Sequence, residues 1–310
     1  MGKNKAQVQL KEPQLNPYRS YVEANSFVTA VYDKRLTTIG QKLIRIAVAE
    51  ADSIHDDDFY AYKVKMSELA TLLKMTENEK VHIYRNVKRA CKYMATMTIG
   101  IEKQSTRINR EPSFRWVPLF QLLEYHDDEG WLEIQFNPQM TPYFLHLREN
   151  FTKVPLWHIL EMDHKYSIRM YELLQLKMFG ADKIEDGTRL SPIGKELTID
   201  HKTVRISVKE IRRATDTEGR YKQIGQLRDF VINPAFKDIE EHAGYHCELT
   251  TEKEGKKVVG FKVDVWIKSA WNQIQLEKGQ VEGQMSLFDF PEFTQSVTGE
   301  INPITIHLKQ

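Results

Sequence analysis

The chain has 310 residues, 41% of them apolar and 28% charged, with a formal net charge of +1. That length suits two globular domains better than one. No run approaches the roughly 20 apolar residues of a membrane helix, and Met1–Arg19 carries Lys3, Lys5 and Lys11 without an apolar block, which excludes a signal peptide.

In chain order, residues 1–20 read as a polar, flexible tail. A helix is expected from Thr37, with Leu43, Ile46 and Ala47 at helical spacing through to Ala51. A short alternating strand, Phe59–Lys65, precedes a short helix opened by Ser67. Thr76 and Glu79 form a capping-box pair for the next helix, which runs to Met94. Strands follow at Met97–Lys103, Phe114–Tyr125 and Trp131–Phe136, the last two joined by the turn Asp127–Gly130. The second half repeats this order: a helix over Tyr166–Phe179, a strand at Thr203–Val208, a short helix over Lys209–Thr215, a longer one over Tyr221–His242, and strands Tyr245–Thr251 and Val258–Ile267. Helix, strand, helix, helix and hairpin is the order of a winged helix-turn-helix. The fold class is therefore α+β, with two tandem winged helix-turn-helix domains at 21–150 and 151–270. Residues 271–310 form a flexible C-terminal tail.

Near-neutral charge conceals segregation. Glu79–Arg115 holds nine Lys/Arg against three acids, and Lys202–Arg228 eight against three. Basic faces on a neutral chain fit a nucleic-acid partner, although two solvated helix faces fit equally. On the Glu79–Met94 helix, Ile83, Tyr84, Val87, Ala90, Cys91 and Met94 share one side, and Arg85, Lys88, Arg89 and Lys92 the other. A winged helix places its recognition helix here, where Arg and Lys reach guanine edges and phosphates. A surface helix with a basic face has the same pattern. Arg107 and Arg110 lie in the loop Gln104–Pro112, where the wing is expected. On the second long helix Ile224, Leu227, Val231, Ala235 and Ile239 make the core stripe. Lys222, Gln223, Gln226 and Asn233 face away, and Arg228 sits toward the apolar side, its tip able to reach a phosphate. Lys209, Arg212 and Arg213 on the preceding short helix would flank the DNA backbone.

Catalytic signals are weak. Gly194-Lys195 lacks the upstream glycine of a phosphate loop. Asp56–Asp58 reads as a solvated turn, and His242, His246 and Cys247 lack a fourth ligand. Cys91 and Cys247 have no C-x-x-C spacing, which argues against a disulfide framework or zinc site and for a reducing cytoplasm. The reading is of a non-enzyme with no cofactor and no membrane partner.

Tyr166-Ser167-Ile168-Arg169-Met170-Tyr171-Glu172-Leu173-Leu174 resembles the helix that opens the second domain of the iteron-binding Rep initiators of theta-replicating plasmids, the RepE, RepA and π type. NSFVTAVYDKRLTTIGQKLIRIA, FNPQMTPYFLHLRENFTKVPL and INPAFKDIEE followed by GFKVDVWIK extend the resemblance over Val22–Ile267 in order. It implies a protein that binds double-stranded direct repeats at a plasmid origin, promotes local melting and recruits the replisome. It also implies a monomer at the repeats, a homodimer that represses its own gene, and host partners such as DnaA, the replicative helicase and the sliding clamp. Leu227-Arg228-Asp229-Phe230 departs from the family, whose second recognition helix is basic at this point. In the tail, Gln284-Met285-Ser286-Leu287-Phe288 resembles the bacterial clamp-binding peptide, with Gln284, Met285, Leu287 and Phe288 as its contacts. A winged-helix transcriptional repressor and a nicking Rep enzyme are the alternative functions.

Overall fold

The computed structural model describes residues 10–53, 55–103, 113–179 and 201–268. Its first half runs β1 (Leu10–Lys11), β2 (Ser20–Ala24), α1 (Asn25–Val28), β3 (Val31–Tyr32), α2 (Thr38–Ala49), β4 (Ala61–Lys65), α3 (Met66–Leu72), α4 (Glu77–Met94), β5 (Thr98–Lys103), β6 (Ser113–Pro118), β7 (Phe120–His126) and β8 (Trp131–Phe136). Then come α5 (Thr141–Phe144), β9 (Phe151–Pro155), α6 (Leu156–Leu160), α7 (Ser167–Phe179), β10 (His201–Ser207), α8 (Val208–Ala214), α9 (Ile224–Leu227), a π turn over Arg228–Ile232, α10 (Asn233–His242), β11 (Tyr245–Glu254) and β12 (Lys257–Ile267). The order of elements is that of two winged-helix units, one in each half.

Local chemistry fixes the helix starts. The Thr37 hydroxyl accepts from the Gly40 amide at 3.2 Å at the head of α2. The capping boxes Thr76/Glu79 and Ser207/Glu210 open α4 and α8; a cap of this kind contributes about 1 kcal/mol. After α10, Gly244 takes φ +68°, the left-handed conformation that ends a helix with least strain in glycine.

Sheet order makes the two units equivalent. In the first, β4 pairs with β8 and β8 with β7; in the second, β10 pairs with β12 and β12 with β11, all antiparallel. Strand, helix, helix and hairpin therefore correspond as β4–α3–α4–β7–β8 and β10–α8–α9/α10–β11–β12. The β5–β6 hairpin belongs to a separate sheet with β3. The single strand expected over Phe114–Tyr125 is two. Pro118 has no amide to donate, and at Leu119, fully buried, the chain crosses from the β5–β6 sheet to the β4–β8 sheet.

From Leu10 onward the expected N-terminal tail is attached. β1 pairs in parallel with β4, Glu12 meets Lys63 at 2.7 Å and Lys65 at 3.4 Å, and Arg19 meets Glu50 at 2.6 Å. Polar composition suggested solvation, whereas these charges find opposite charges on β4 and at the end of α2. β9, at the expected start of the second domain, pairs antiparallel with β2 over Ser20–Ala24, so the two halves share a small sheet.

The buried apolar side chains form one continuous cluster through both halves. A buried ionic knot lies at their junction. Glu172 of α7 accepts from Arg45 of α2 at 2.5 and 2.7 Å, from Arg169 at 3.1 Å and from the Tyr21 hydroxyl at 2.8 Å. Arg169 also donates to the carbonyls of Ala30 and Ala214, at 3.0 and 3.1 Å. One guanidinium thus ties α7 to both the first half and the end of α8.

Cys91 and Cys247 are both free and buried. Burial raises the Cys91 thiol to about 12 and also raises that of Cys247, so both side chains act as small core residues. No helix among the described residues is long and apolar enough to cross a membrane.

Candidate nucleic-acid interface

On α4, Ile83, Val87, Ala90, Cys91 and Met94 are buried, and Arg85, Lys88, Arg89 and Lys92 are exposed. The four cations share one face of a helix held from behind by the core. Tyr84, placed with the apolar side by its spacing, is instead 45% exposed, as is Tyr93. Both phenols border the basic face. Lys88 reaches Asp127 in the β7–β8 turn, and its ammonium lies 5.9 Å from the Tyr125 ring centroid.

Two hairpins follow α4. Strand correspondence makes the β7–β8 turn, Asp127-Asp128-Glu129-Gly130, the counterpart of the β11–β12 turn. The expected wing loop, with Arg107 and Arg110, joins β5 to β6 instead, and both arginines lie outside the described residues. Two adjacent hairpins were indistinguishable in sequence, and only pairing with β4 separates them. The first wing is acidic. The second is basic, with Lys253, Lys256 and Lys257 exposed around Gly255, which takes φ +60° at the tip. In sequence Glu252 and Glu254 flank Lys253, so the run does not stand out as basic.

In the second half, Lys209 is exposed on α8, but Arg212 and Arg213 do not flank an open face. Arg212 turns back and donates to the carbonyls of Thr217, Arg220 and Tyr221 at 3.1, 2.7 and 2.8 Å. It is the internal brace of the turn between α8 and α9. The Arg213 side chain is 12% exposed; it pairs with Glu102 of β5 and lies 5.0 Å from the Phe114 ring centroid. Arg212 is used by the turn carbonyls and Arg213 by a carboxylate of the first half, partners that residue type alone does not reveal. Lys222 and Gln223 are exposed, but they precede the helix, with Gln223 as the N-cap residue of α9. Gln226, Asn233 and Arg228 are exposed too. Arg228 was expected toward the apolar side; the wider π turn that begins there re-phases the helix and carries it to solvent. Phe230, in the same turn, is 56% exposed.

No group of His, Cys, Asp and Glu among the described residues could hold a metal ion. His242 contacts Asp238 at 3.4 Å and His246 contacts Glu240 at 3.3 Å, ordinary ion-pair geometry. Gly194, Lys195 and the tail residues Gln284, Met285, Leu287 and Phe288 lie outside the described residues.

Comparison with known proteins agrees with this architecture. The family described as "Initiator Replication protein, WH1" matches residues 20–175, and "Initiator Rep protein, WH2" matches 207–265. The chain belongs to the initiator replication protein family. A replication initiation protein of Escherichia coli is 24% identical over 238 residues, covering 76% of this chain. The match spans 65% of that relative's length, slightly under two thirds. The Pi initiator protein, solved in complex with iteron DNA, superposes with a TM-score of 0.61 at 19% identity, covering 81% of this chain and 98% of its own. That likeness is one of fold, and it supports two winged-helix domains in sequence.

Proposed function

We propose that this initiator replication protein binds direct repeats at a plasmid origin through both winged-helix domains, and that the binding energy distorts the adjacent duplex. The observation that carries this is the repetition itself. Two equivalent strand–helix–helix–hairpin units each present an exposed, hydrogen-bonding helix surface, basic on α4 and mixed Gln, Arg and Asn around the π turn. Helices so placed enter successive major grooves. Lys and Arg supply salt-dependent affinity through phosphates, and a few side chains select bases. Each domain is weak alone; joined by the buried knot, they bind with a high effective concentration.

In this reading the repeat-bound protein opens neighbouring DNA and draws in the host replisome, DnaA and the replicative helicase among its partners. A homodimer represses the gene. The tail residues Gln284, Met285, Leu287 and Phe288 would engage the sliding clamp. Fluorescence anisotropy on repeat and scrambled duplexes tests the first step: Arg85→Ala with Lys88→Ala is expected to weaken binding and flatten its salt dependence. Unchanged binding removes α4 from the interface. For the tail, Leu287→Ala with Phe288→Ala should abolish clamp pull-down and spare DNA binding; surviving pull-down makes the motif a chance match.

A further inference from the structure

Phe230 is the most exposed large apolar side chain among the described residues, at 56%. Its surroundings are ordered. Its ring stacks on Tyr221, with centroids 5.7 Å apart and planes 26° from parallel. Tyr221 holds φ +47°, a conformation few residues other than glycine adopt without strain. Arg212 fixes that backbone by donating to the Tyr221 carbonyl at 2.8 Å. Tyr221 itself packs against the apolar core, so a strained backbone braced by a guanidinium holds the Phe230 ring in place at the surface of a π turn.

The neighbours on the same surface indicate the ligand. Gln226, Phe230 and Asn233 are all exposed, while Leu227, Val231 and Ile232 between them are buried. Gln and Asn can bond adenine N6 and N7 in a pair, and an apolar side chain contacts the methyl group of thymine. Two amides flanking one pre-positioned ring therefore match A·T base pairs in the major groove. We infer that Phe230, braced by Tyr221, is a specificity-determining residue that reads the 5-methyl group of a thymine in double-stranded DNA. The inference rests on the reading of this helix as groove-entering.

The test uses the full chain and a duplex it has itself selected from a random pool. Each thymine is replaced singly by deoxyuridine, which removes only the methyl group. At one or two positions the wild type should lose about fourfold in affinity, the worth of one buried methyl. Phe230→Ala should bind the thymine duplex more weakly by a similar factor and be indifferent to uridine there, while Phe230→Leu keeps part of the discrimination. A wild type that selects a sequence yet ignores every uridine overturns the inference and leaves the proposed function standing. So does a Phe230→Ala chain that still discriminates uridine from thymine, or one that changes only its self-association, which would make the ring a contact between copies. A chain that selects no sequence at all defeats both readings.

Discussion

Glu23, on β2, is 1% exposed, and its Oε1 is buried without a hydrogen-bond partner. Burial, and then repulsion from Glu172, raise its carboxyl from 4.5 to about 8, against the attraction of Arg45 and Arg169. The unfolded chain therefore releases this proton near pH 4.5, whereas the folded chain keeps it to about pH 8. Between those values the native state binds more protons, so stability falls as pH rises and levels off above pH 8. At about 1.4 kcal/mol per pH unit, the loss is on the order of 5 kcal/mol by pH 8 and about 3 kcal/mol by pH 7. Glu23→Gln puts a neutral group of nearly the same shape in place. It should match the wild type near pH 5 and exceed it by about 3 kcal/mol at pH 7. Because one apolar cluster runs through both halves, urea unfolding followed by tryptophan fluorescence should report a single transition for this comparison. Wild-type and variant stabilities that run parallel from pH 5 to pH 8 would refute the reasoning.

Three further predictions follow from the same geometry. Arg45→Met leaves Glu172 with one guanidinium fewer in a site excluded from water, so urea denaturation should show a loss of about 3–5 kcal/mol; a loss under about 1 kcal/mol would mean the knot relaxes or hydrates. Burial lowers His158 to about 3, so its unfolded form takes up a proton first on acidification and stability should drop as pH falls from 6.5 toward 3. His158→Gln should flatten that acid limb, and an unchanged limb would assign it to other groups. Lys256→Ala with Lys257→Ala should reduce the log–log salt slope of DNA binding by about one per lost phosphate contact, an effect absent if the second wing points away from the duplex.

Elements governed by neighbours in sequence were legible. Thr76 and Glu79 announced α4, alternation gave the strand Phe59–Lys65, most of which is β4, and the apolar stripe of α4 predicted which cations would be exposed. Features decided by distant partners were not. β2 and β9 pair across more than a hundred residues of chain, and nothing within either strand names the other. Arg212 and Arg213 read as free cations because their acceptors, the turn carbonyls and Glu102, are assembled only by folding. The two successive hairpins after α4 could not be told apart for the same reason, since they differ in whether they pair with β4. The π turn changed the phase of one helix by an amount that a regular 100° wheel cannot contain, which moved Arg228 outward.

The most direct test of the central claim is a binding isotherm of the intact chain on a direct-repeat duplex and on its scrambled counterpart, each measured across a salt series. Two groove-entering domains predict binding to the repeat at least about a thousandfold tighter than to the scrambled duplex, steep salt dependence on both, and a weaker complex when either half of the repeat is altered. Equal affinity for the two duplexes, or indifference to one half-site, would contradict a grip by both domains.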